Sequence, residues 1–106
     1  MQFISPAILK LNMFITNEYT QFKHKYNFSN ESIAWSCFSK EFIYRPSYCS
    51  LHLVAQAFLA SLNVHSYKDF IIFSKNYDFS SMLSILIHKN PHLSSHDIML
   101  IFKTII

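Results

Sequence analysis

There is no glycine in this chain. Glycine is the residue that enters left-handed backbone geometry without a steric penalty, so its absence removes a whole set of local structures. A phosphate-binding P-loop, a dinucleotide GxGxxG turn, a nucleophile elbow and an EF-hand loop each need it, either for a positive φ or for close approach of backbone to ligand. Tight two-residue hairpins are disfavoured for the same reason. Helices that ordinarily end on a left-handed glycine must use the next-best residue, asparagine.

The missing glycine belongs to a wider bias. Val, Ala, Asp, Glu and Gly are all encoded by codons beginning with G, and together they supply only 13 of the 106 residues. Phe, Ile, Lys, Asn and Tyr, whose codons are rich in A and T, supply 45. This is the signature of an AT-rich reading frame. The resulting chain is 51% hydrophobic, 17% aromatic and only 14% charged, against about 25% charged residues in ordinary globular domains. Low charge with many aromatics is the opposite of the disorder signature. The length suits one core, and a single small domain over residues 1–106 is expected.

The net charge of +3 comes from dispersed lysines, with Arg45 as the one arginine. The local cluster Lys23-His24-Lys25-Tyr26 reads as a solvated helix end. Without an arginine set or a basic groove, no nucleic-acid partner is expected. The N-terminus has no basic region ahead of a clean apolar run, so no secretory signal is expected. Pro46 to Tyr67 carries no formal charge and is long enough to span a bilayer as a helix. However, His52, Gln56, Asn63 and His65 interrupt it. A buried core helix is the preferred reading, with membrane association through residues 47–64 as the alternative.

Helix signals recur along the whole chain. Ser5 can cap and Pro6 suits the first helical position; Ile8, Leu11, Ile15, Tyr19, Phe22 and Tyr26 then line one face, predicting a helix over 6–26. Asn30 can cap a second helix, with Ala34, Trp35, Phe38 and Phe42 as its apolar face and Pro46 as its stop. Ser47 is expected to cap a third and central helix, with the stripe Leu51, Ala55, Phe58 and Leu62 widened by Val54 and Leu59, ending at Asn63. Ser66 with Asp69 predicts a short fourth helix. Asp78 or Ser80 can cap a fifth, through Met82, Leu83, Leu86 and Ile87, broken by Asn90-Pro91. Ser94 or Ser95, with Asp97, opens a last helix faced by Ile98, Ile101, Phe102 and Ile105. The expected fold is mainly α, a small irregular bundle of five or six short helices. The alternative is α+β, with Phe70–Phe73 and Tyr77–Phe79 forming a hairpin around Ser74-Lys75-Asn76.

Few residues carry the marks of chemistry. His88, His92 and His96 are spaced by four and would share a face of an unbroken helix, as zinc ligands do, but Pro91 interrupts the run. No HExxH motif is present. Cys49 and His52 are three apart, a spacing that suits either metal ligation or a thiolate–imidazole pair, yet no orienting third group accompanies them. Cys37 and Cys49 read as small buried hydrophobes rather than a disulfide framework. The acids Glu18, Glu31, Glu41, Asp69, Asp78 and Asp97 are scattered, several of them at helix starts. No catalytic, cofactor-binding or metal-binding residue is assigned, no cofactor is expected, and the chain is not expected to be an enzyme.

Three function classes stay open. The first is that the frame encodes no selected biochemical activity and is open by composition alone. The second is a small helical interaction module that binds a partner protein through an apolar helix face, with the 98–106 tail as a candidate. The third is membrane association through 47–64.

Overall fold

The computed structural model describes residues 6–75 and 79–105. Six helices follow one another there, with no strand among the described residues. They are α1 (Pro6–Tyr26), α2 (Glu31–Tyr44), α3 (Ser50–Leu62), α4 (Tyr67–Ser74), α5 (Phe79–Lys89) and α6 (Ser95–Ile105). The protein is a small all-helical bundle.

The helix ends show how a chain without glycine makes its turns. Asn27 and Asn63 adopt φ of 54° and 49° and are the residues of positive φ among those described. Asparagine tolerates this geometry better than any other residue with a Cβ carrying a polar amide. The Asn27 N–H donates to Lys23 O at 2.8 Å and closes α1. Asn90 ends α5 differently: its backbone N–H and its side-chain amide both donate to Leu86 O. Asn76, in the loop of the alternative hairpin, lies outside the described residues.

Starts are capped by side chains. Asn30 Oδ1 accepts from Ile33 N–H at 3.1 Å, Ser66 Oγ from Asp69 N–H at 3.1 Å, and Ser94 Oγ from Asp97 N–H at 3.1 Å. The Asp97 carboxylate completes a reciprocal box by accepting from Ser94 N–H at 3.0 Å. The Ser66 cap decides the fourth element: Phe70–Phe73 are helical, so the alternative hairpin over 70–79 does not form, and its Asn76–Asp78 portion falls outside the described residues. Asp78, one of the two expected caps of α5, falls there too. Ser47 does not cap α3. The helix starts at Ser50 after Cys49, whose side chain makes no capping bond, and Ser47 Oγ accepts from Cys49 N–H to shape the turn before it.

Helix α3 is central. It packs against each of the other five helices. Val54, Ala55, Ala57, Phe58 and Leu59 are buried, which is nearly the whole circumference of its middle turns. Leu51 and Leu62, expected in its buried stripe, are only half-buried at the two ends. The alanines let neighbouring axes approach closely. At 13 residues α3 is short, and no described helix is long and apolar enough to cross a membrane.

Tyr19, Trp35, Phe38, Tyr67 and Phe70 form a connected aromatic cluster between α1, α2 and α4. Trp35 lies edge-on to Tyr19, with ring centroids 5.0 Å apart, and also contacts Phe38, Tyr67 and Phe70. Its buried indole N–H donates to Val64 O at 3.2 Å, which pins the α3–α4 connection to α2. Tyr19 donates its phenol proton to Glu31 Oε1 at 3.0 Å and ties α1 to the start of α2. Two more bonds join α1 and α4, from Asn12 Nδ2 to Ser74 Oγ at 2.8 Å and from Tyr67 OH to Thr16 Oγ1 at 3.1 Å. Their register makes the two helices antiparallel.

Gln56 is the buried polar residue of α3, and its amide nitrogen makes two hydrogen bonds. Its Nε2 donates to Phe42 O at 2.9 Å and to Arg45 O, the carbonyls that the end of α2 leaves without intrahelical partners. Lys89, at the end of α5, donates to Ile43 O at 2.9 Å and completes the cap.

Two substitutions test this architecture by urea denaturation. Phe58→Ala removes a fully buried ring from α3 and is expected to cost about 3–5 kcal/mol; a loss below about 1 kcal/mol would place α3 at the periphery. Gln56→Leu keeps the volume but leaves the Phe42 and Arg45 carbonyls unpaired, and is expected to cost about 1–3 kcal/mol.

Candidate functional site

The residues with metal-ligand spacing are not brought together. His88 sits on α5, His92 in the turn after Pro91 and His96 on α6, and all three are exposed. No group of three or more His, Cys, Asp or Glu side chains is placed to hold a metal ion among the described residues. Asp97 is committed to its capping box. The backbone and hydroxyl of Ser94 hold its carboxyl below the usual range, with His96 and His92 adding to the effect.

The cysteines overturn an expectation. Cys37 and Cys49 are both exposed and free, rather than buried in the core. The buried face of α2 is set by Ala34, Trp35, Phe38 and Phe42, and position 37 falls outside it. Cys49 precedes α3 at its solvent-facing start. Cys49 and His52 share a helical turn but not an environment. His52 turns inward, stacked on Phe42 with centroids 4.8 Å apart and edge-on to Phe14 at 5.8 Å.

His52 borders a charged cluster that joins α1 to the end of α2. Arg45 donates to both carboxylate oxygens of Glu41, at 2.9 and 2.6 Å, and pairs with Glu18 at 3.7 Å. The hydrogen bond to Glu41 is the main reason that the Arg45 pKa is raised. The Nε2 atom of His52 is buried without a hydrogen-bond partner. Burial depresses the His52 pKa, and Arg45 depresses it further, while Glu18 and Glu41 oppose. The cluster ties the end of α2 to α1 through its ion pairs. Tyr19 is likewise structural: burial, then its bond to Glu31, push its pKa far above the ordinary phenol value.

Two surface features combine apolar side chains with a concavity and bear on function. The first is a cleft of about 370 Å³ between α2 and the end of α3. Its floor is apolar, from Trp35, Ile43, Leu59 and Val64, and its rim carries Ser36, Lys40, Asn63 and His65. The second is the outer face of α1 and α4. A dent of about 120 Å³ lies between the two helices, lined by Ile8, Leu9 and Ile71 beside the Asn12–Ser74 bond. Leu9 and Met13, one turn apart on α1, are 49% and 63% exposed, and Ile72 on α4 is 49% exposed.

The terminal helix divides its apolar residues. Ile98 and Ile101 are buried, and α6 packs on α3, whereas Met99 and Leu100 are 59% and 48% exposed. The tail is therefore part of the bundle. Neither surface was signalled by a sequence motif. The cleft depends on the left-handed turn at Asn63, and the α1–α4 face on which of two possible stripes each helix buries.

No protein-family model, curated protein or solved structure matches this chain.

The His52 environment gives a pH prediction. Its folded-state pKa lies below the unfolded value of about 6.5, so the unfolded chain binds the proton first. Stability is then intact above the unfolded pKa and falls as pH drops through it toward the depressed folded value. The difference in urea midpoint between pH 7 and pH 5 is expected to shrink in His52→Phe. An unchanged difference would assign the acid sensitivity to other groups.

Proposed function

We propose that this chain is a small helical interaction module that binds a partner protein through the outer face of α1 and α4. One observation carries the reading: Leu9, about half exposed, lines a dent between two antiparallel helices with Ile8 and Ile71, and Met13 and Ile72 are exposed on the same two helices. A surface that leaves several large apolar side chains together is the physical mark of a docking site. The chain's reactive groups speak for the same reading. Glu18, Glu31, Glu41 and Asp97 are engaged in ion pairs or a cap, the described histidines are dispersed, and the half-buried His52 imidazole is packed between phenyl rings. Catalysis is not part of the proposal.

A second reading is favoured by the composition. A frame without glycine and poor in G-first codons can be open by nucleotide bias alone, with no selected activity. The two readings differ in what the nucleotide sequence records: an interaction module should show an excess of synonymous over amino-acid-changing differences between close relatives, and an unselected frame should not.

The direct test is crosslinking and co-purification of the endogenous protein, compared with a Met13→Asp/Ile72→Asp variant that keeps its circular dichroism spectrum and melting transition. A specific partner lost by at least tenfold in the variant is the expected result. Equal recovery of that partner with both proteins would remove the α1–α4 face from the proposal.

A further inference from the structure

We infer that the cleft between α2 and the end of α3 binds a small amphipathic carboxylate, independently of the α1–α4 face. The volume of about 370 Å³ falls within the range of small-ligand sites. The floor offers Ile43, Leu59 and Val64 to an apolar body, with the buried Trp35 beneath them. Trp35 cannot compete for the ligand as a donor, because its N–H is already held by Val64 O.

The rim supplies the recognition chemistry. Lys40 comes from α2 and His65 from the α3–α4 connection, and no acidic residue lines the cleft. Ser36 lies one turn before Lys40 on the same helix and adds a hydroxyl. Ser39, by contrast, is committed to Trp35 O at 2.7 Å. One effect opposes an anion: the cleft borders the end of α3, where a helix carries about half a negative charge. The full positive charge of Lys40 exceeds it, and His65 adds a further donor. The rim therefore selects a negative head group, and the floor a short aliphatic or aryl body. A cation would meet Lys40 and gain little from the helix end.

The chain's single tryptophan lines this cleft, so binding has an intrinsic reporter. Octanoate below its micelle concentration is titrated into the whole protein while Trp35 emission and the indole N–H resonance are followed. Octylamine and octanol serve as cationic and neutral counterparts. The expected result is a saturable change with octanoate, at least fivefold tighter than with either counterpart. It should weaken about fivefold or more in Lys40→Glu and stay unchanged in Lys10→Glu, an exposed lysine on α1. Both lysines are exposed, so neither substitution threatens the fold, and circular dichroism checks this. A non-saturating response, equal binding of octylamine, or unaltered affinity in Lys40→Glu would each overturn the inference. Because α1 and α4 contribute nothing to the cleft, its failure leaves the partner-binding proposal standing, and the reverse also holds.

Discussion

The end of α2 is the constraint around which this bundle is arranged. Many helices close their last turn on a left-handed residue, usually glycine, with backbone N–H groups covering the terminal carbonyls. Here Pro46 follows Arg45, which supplies no N–H and pushes the chain into extended geometry. The carbonyls of Phe42, Ile43 and Arg45 must be covered from elsewhere. The Gln56 amide of α3 and the Lys89 ammonium of α5 cover them. A cation at a helix C-terminus also complements its partial negative charge. The Phe42 carbonyl, the buried one of the three, would cost about 1–3 kcal/mol if left unpaired, a sizeable share of the stability of a small domain, about 5–15 kcal/mol. Docking of α3 and α5 is thus coupled to completion of α2.

The same coupling explains why α3 tolerates a glutamine at its most buried stretch. An unpaired amide there would be costly, but one that bridges two terminal carbonyls fixes the axial register of α3 against α2. The aromatic cluster performs the corresponding task on the other side. Tyr19, Trp35, Tyr67 and Phe70 bring α1, α2 and α4 together, and the polar tips of Tyr19, Trp35 and Tyr67 each end on a specific acceptor. Apolar area supplies most of the free energy, and these few polar bonds select one packing among the many that an apolar-rich chain could adopt.

Much of this was legible in the sequence because it is local. Pro6, Asn30, Ser66 and the Ser94–Asp97 pair mark helix starts through capping chemistry that depends on adjacent residues alone. Asn27 and Asn63 mark ends because an asparagine is the best available substitute for glycine. The stripe from Ile8 to Tyr19 and the position of α3 follow from periodicity and apolar content. What was not legible depends on three-dimensional pairing. Gln56 reads as a polar interruption until the end of α2 is seen against it. Cys37 and Cys49 read as core residues because cysteine is commonly buried, yet each lies off its helix's inward face. The α2–α3 cleft is built by a left-handed turn and an indole hydrogen bond twenty-nine residues apart in sequence, which no spacing rule anticipates.

The bias of the reading frame bears differently on interior and surface. An AT-rich frame supplies Phe, Ile and Tyr for a core, Asn for left-handed turns and Ser and Asn for caps, so composition contributes directly to foldability. It also supplies more apolar side chains than a slab only 19 Å thick can enclose, about two helix diameters. Leu9, Met13 and Ile72 remain outside for that geometric reason, whatever their use. A composition surplus alone scatters such residues, as Ile33, Ile87, Met99 and Leu100 on the other helices show, and gives clefts no preferred polarity. On α1 and α4, Leu9 lines an apolar dent with Ile8 and Ile71, and around the α2–α3 cleft the rim is basic over an apolar floor, without an acid. Selected activity in this protein is therefore to be sought at these two surfaces, where composition supplies the residues but not their arrangement.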